Sequence, residues 1–100
     1  MNNSQSFTFN NQKYNIIITK HAITRMLERE IDGCHIMAAI LSLGSKRIEQ
    51  YNNAVKDVFI MDRENHFSIV ISIQNNNIKV ITALDKTDCY VKNGTIAIEI

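Results

Sequence analysis

Apolar and polar residues alternate along most of this chain with a period near two, and the exception is a stretch in the first half where the period lengthens to that of a helix. Residues 7–9 and 14–18 are short runs of aromatic and branched side chains on either side of Asn10, Asn11 and Gln12, which predicts a hairpin. Thr19 then suits the N-cap of a helix over 20–29, and Asp32 that of a second helix over 33–43. In the second helix Ile36, Met37, Ile40 and Leu41 recur at helical spacing, and Gly44 fits the left-handed position after its end. Beyond Gly44 the strand period returns over 47–51, 55–61, 67–73 and 78–84, with polar turns between them. These runs predict an antiparallel meander, with 55–61 central because it is apolar on both faces. Asn93 followed by Gly94 predicts a last hairpin, of 89–92 with 95–100.

The expected architecture is therefore α+β: an amino-terminal hairpin, then two helices packed on a twisted antiparallel sheet. Ala22, Met26, Leu27, Ile36, Ile40, Phe59, Ile69, Ile71 and Val80 are the expected core. One hundred residues, 45% of them apolar, make a single domain spanning 1–100 with a core that needs neither metal nor disulfide. The apolar runs are too short to cross a bilayer, and the first residues lack a secretory pattern. A cytoplasmic location is the expectation, unless the chain is the toxic tip of a larger secreted protein. Cys34 and Cys89 lie far apart and without zinc-type spacing, so they are expected to be small buried or half-buried residues, with no metal site; a disulfide between them stays open.

The first predicted helix carries the chemistry. His21, Arg25 and Arg29 stand at i, i+4 and i+8, a stripe on one flank of the helix beside an apolar face of Ala22, Ile23, Met26 and Leu27. An imidazole moves protons near neutral pH, and a guanidinium braces a phosphate, so the group suits a phosphodiester. The plain alternative is a solvated flank in which Arg25 pairs with Glu28. Lys20 is more readily read as solvated, and Lys46 with Arg47 after Gly44 are candidate phosphate contacts. His35 and His66 read as surface residues. The net charge of +1 provides no long-range field for nucleic acid, although 1–50 holds six Lys and Arg against four acids, and 51–100 five against six.

The pattern H-A-x-x-R-M-x-x-R-x-I from His21 to Ile31, then a second helix closing on Gly44 and then strands, resembles the bacterial family called domain of unknown function 4258. That family is similar to the RelE and BrnT ribonuclease toxins, and the likeness runs over residues 14–85. It implies a RelE-like, barnase-like fold and metal-independent cleavage of mRNA or tRNA, in which the RNA's own 2′-OH attacks the phosphorus. It also implies no cofactor and a cognate antitoxin or immunity protein as partner. His21 would be the acid or base, Arg25 or Arg29 the charge stabiliser, and Thr82 the hydroxyl that these toxins place on a late strand beside the helix-borne His. Lys20, Lys46 and Arg47 would be RNA contacts. Leu84 stands where the family often has an aromatic, and Glu30 where it commonly has Gly. Those departures favour a rival reading, a non-catalytic regulator or immunity-type binding protein on the same scaffold.

Overall fold

Asn11 takes the left-handed conformation at φ 63°, which an Asn side chain tolerates better than most, and the chain reverses there. A computed structural model describes residues 3–9, 11–87 and 94–100. The reversal joins β1 (Asn3–Phe9) to β2 (Gln12–Ile18) in an antiparallel pair that sets Phe7 opposite Tyr14, their rings stacked at 5.8 Å. The Tyr14 side chain is wholly buried, and its hydroxyl donates to Gln12 Oε1 at 3.4 Å. Burial, and secondarily the Glu49 carboxylate, push its phenol above the usual range.

The two expected caps both form. Thr19 has extended backbone, and its hydroxyl oxygen accepts from the Ala22 N–H to open α1 (Lys20–Glu28). Asp32 accepts from the Cys34 N–H at 2.8 Å to open α2 (Gly33–Leu41), and that bond holds its carboxyl below the usual range. Gly44, at φ +79°, is left-handed as its position suggested, but it does not lead into a strand. Residues 47–51, expected as a strand, belong to α3 (Gly44–Tyr51). The apolar residues in that run are Ile48 and Tyr51, three apart, and both turn inward, while Lys46, Arg47, Glu49 and Gln50 are helix formers on the exposed side. No helix among the described residues is long and apolar enough to cross a membrane.

The sheet is completed by β3 (Val58–Asp62), β4 (Phe67–Gln74), β5 (Asn77–Leu84) and β6 (Ile96–Glu99), in the order β1-β2-β5-β4-β3-β6. Strands β3, β4 and β5 form the expected antiparallel meander. The sheet as a whole is mixed rather than antiparallel, because β2 pairs with β5, and β3 with β6, in parallel. A parallel pairing needs a long crossover, and the three helices supply it between β2 and the meander. Strand β3 lies inside the sheet as expected, although it starts at Val58 and leaves Val55 fully exposed. The expected partner of the last hairpin, 89–92, lies outside the described residues; β6 itself runs alongside β3.

All three helices cover one face of the sheet. Tyr14, Ile16 and Ile18 of β2 continue through Ile78 and Val80 of β5 and Ile69, Ile71 and Ile73 of β4 to Val58 and Ile60 of β3, and meet Ala22, Ile36, Ile40 and Ile48. Of the expected core, Ala22, Ile36, Ile40, Phe59, Ile69, Ile71 and Val80 are buried, and Met26 packs partly against them. Leu27 is 77% exposed, which corrects its place in that set. At about 100° per residue it stands about 140° around the helix from the buried Ala22, whereas Met26 is only about 40° away.

Candidate functional site

The candidate site begins with an irregularity in β5. The ladder pairs Ile73 with Ile78 and Ile71 with Val80, then Val70 with Thr82 and Ile69 with Ala83. Ile81 is therefore an extra residue, a β-bulge, and it reverses which face the following side chains take. Plain alternation from Ile78 and Val80 would send Thr82 into the core. With the bulge Ala83 is the buried residue, and Thr82 is half-buried beside Val70 on the face away from the helices.

A second feature exposes the edge of β5 at the same place. Pairing with β2 ends at Ile18 and Val80, where the chain turns into α1. The β5 carbonyls from there onward are met by side chains from that turn and helix. The Thr19 hydroxyl donates to the Val80 carbonyl at 2.9 Å, and the Arg29 guanidinium donates to the Ala83 carbonyl. The sequence stripe on α1 is thereby laid along the strand that bears Thr82. His21 Nε2 comes within 3.4 Å of Thr82 Oγ1, the long end of hydrogen-bond range, and the imidazole tautomer decides which of the two donates.

The predicted residues do not all share one place. His21, Thr82 and Arg29 come together at the β5 edge. Arg25, on the same helix flank, is paired with Glu28 at 2.8 Å, both side chains being well exposed. Lys20 is exposed at the start of α1. Lys46 and Arg47 are exposed on α3, and the segment after α3 is tied elsewhere: Asn52 and Asn53 bond to Asn76 and Asn75 in the turn before β5, at the end away from Thr82.

A groove of about 680 Å³ between the β2 end of the sheet and the first two helices is lined by Ile16, Ile18, Met26, Cys34, Met37 and Leu41 among others, and by none of the candidate residues. Cys34, expected to be at least half-buried, is exposed at the mouth of that groove, because it occupies an outward position in the first turn of α2. Among the described residues no three His, Cys, Asp or Glu side chains form a group able to hold a metal. His35 and His66 are exposed, His35 stacking on Phe67. The bulge is the feature that sequence reading missed. Its trace is the shift of apolar phase from Ile78 and Val80 to Ala83.

Glu30 acquires a physical meaning here. It follows the C-cap Arg29 at φ 55°, and the next residue, Ile31, donates its N–H to the Met26 carbonyl at 2.9 Å. This is a Schellman ending, whose left-handed residue is most easily Gly. Glu30→Gly should remove side-chain strain at that residue at some cost in unfolded-state entropy, for a net stabilisation of about 0.5–1 kcal/mol. A rise in the thermal unfolding midpoint checks it, and a fall would contradict the left-handed ending.

Comparison with protein-family models, with curated proteins and with solved structures finds no match to this chain in any of the three.

Proposed function

We propose that the chain is a metal-independent ribonuclease of the RelE-like toxin type, cutting mRNA or tRNA and held in check by a cognate antitoxin or immunity protein. The observation that carries this reading is the approach of His21 Nε2 to Thr82 Oγ1 across the edge of β5. The resemblance of the α1 motif asks for that pairing, and sixty-one positions separate the two residues.

In the proposed reaction the RNA 2′-oxygen attacks the adjacent phosphorus as its proton leaves. The bond to the 5′-oxygen breaks, and that oxygen takes up a proton, giving a 2′,3′-cyclic phosphate and a 5′-hydroxyl. His21 transfers one of these two protons, and solvent exchanges the other. The Thr82 hydroxyl orients the imidazole. Arg29 spends one of its five N–H donors on the Ala83 carbonyl, which fixes the guanidinium beside the site with donors left for a phosphate oxygen. The Arg25–Glu28 pair is exposed, and such pairs are worth about 0–1 kcal/mol, so a phosphodiester competes for Arg25 at small cost.

The rival reading, a non-catalytic binding protein on the same scaffold, is favoured by the engagement of both guanidinium groups within the chain. Incubation of the purified protein with total RNA in EDTA separates the two. Discrete cuts with cyclic phosphate ends are expected. Intact RNA, together with harmless expression of the wild-type chain, would replace the ribonuclease with the binding protein.

A further inference from the structure

The face of the sheet turned away from the helices is not uniformly open. At one end Phe59 and Ser68 are buried, and the Ser68 hydroxyl donates to the Lys86 carbonyl as the chain crosses back after β5. The part formed by β2, β5 and the second half of β4 is more open, and the pairings set out its rows. Ile17, Lys79 and Ser72 lie side by side on three adjacent strands. The next row in the direction of β5 is Thr82 and Val70, with His21 at its edge. In the other direction lie Asn15, Asn77 and Gln74, the Asn15 amide donating to Asn77 Oδ1 at 3.1 Å.

On the open part of this face charge has one sign, whereas at the far end β6 turns Glu99 to the same face, paired with Arg63. Every position that β1, β2, β4 and β5 turn to it is uncharged or basic, the charged ones being Lys13 and Lys79. A shallow pocket of about 270 Å³ surrounds Lys79, lined also by Ile17, Ser72, Gln74, Asn75 and Asn77. Between the Lys79 row and the Thr82 row is one two-residue step of β4, about 7 Å, close to the distance from one phosphate to the next along an extended nucleic-acid strand.

We infer that this face is the track for a single strand of RNA, with Lys79 taking the phosphate next to the one at His21 and Thr82, and Ile17 with the Asn77 amide receiving the neighbouring base. The inference rests on the ribonuclease reading and names how its substrate is held. A lysine ammonium neutralises a phosphate as a point charge, and an apolar floor beside an amide accepts a base face while the amide contacts its edge. The track uses β5 twice: the bulge turns Thr82 onto the face, and the regular alternation before it places Lys79 there.

Two measurements test the inference separately from the reaction. In an NMR titration with 2′-O-methyl hexamers of uridine and of adenosine, which cannot be cut, amide shifts are expected at Ser72, Asn77, Lys79 and Thr82 together. Shifts confined to Lys46 and Arg47, or no binding, would overturn the track whether or not the protein cleaves RNA. In kinetics, Lys79→Ala should raise KM several-fold with kcat unchanged and lower the salt slope of binding by about 0.7, while Lys79→Arg restores both. Cleavage by wild type with an unchanged KM in Lys79→Ala would remove the track and leave the ribonuclease standing. If wild type cuts no RNA, the ribonuclease reading falls, and the titration alone decides whether this face binds a strand.

Discussion

Replacing His21 by alanine is expected to abolish RNA cleavage, with a loss of about 10²–10⁴-fold in rate. Thermal unfolding should stay within about 0.5 kcal/mol of wild type, because the imidazole is exposed and its one described partner is a hydroxyl at 3.4 Å. Loss of activity with an intact fold is the outcome that an ordinary surface histidine does not produce. Thr82→Val keeps the shape of the side chain and removes the hydroxyl, so it should show a smaller loss if Thr82 orients the ring. Arg25→Ala should slow cleavage by about 10²-fold if its guanidinium meets the developing phosphorane charge. Arg29→Ala is harder to read, since it also strips the Ala83 carbonyl of its partner and detaches the end of α1 from β5. Wild-type levels of cleavage or toxicity in His21→Ala would remove the enzyme reading.

Local chemistry was legible in the chain, and long-range pairing was not. Thr19 and Asp32 could be placed as caps because a cap and the amide it serves lie within three residues of each other. The α1 stripe followed from helical spacing alone. The β2–β5 and β3–β6 pairings were beyond reach, since a strand alternates in the same way whether its neighbour runs parallel or antiparallel. In α3 Ile48 and Tyr51 stand three apart, a helical spacing, but two apolar positions are too few to establish a period, and the closure of Ile48 onto the sheet face supplies what the pattern lacks. For the site, spacing grouped His21 with Arg25 and Arg29, and the family resemblance proposed Thr82. The physical reason Thr82 turns toward His21 is the bulge at Ile81, which depends on how β4 pairs with β5 and leaves only a faint trace in the pattern.

Ile71→Ala is expected to be the most damaging single change considered, at about 2–5 kcal/mol. Ile71 is 0% exposed, and its cross-strand neighbours Val58 and Val80 are buried with it beneath the helices, so the cavity has little room to collapse. Against a typical domain stability of about 5–15 kcal/mol, urea unfolding should begin at a markedly lower concentration with an unchanged slope. Leu27→Ala removes as many carbons from a helix whose sequence seemed to bury them, yet it should change stability by no more than about 0.5 kcal/mol, because the side chain is 77% exposed and alanine is the better helix former. The pair of variants also bears on the site. If Leu27→Ala proved as costly as Ile71→Ala, α1 would have to be rotated about its axis to bury Leu27. That rotation would carry His21 away from Thr82 and Arg29 away from the Ala83 carbonyl, and with them the geometry on which the proposed chemistry rests.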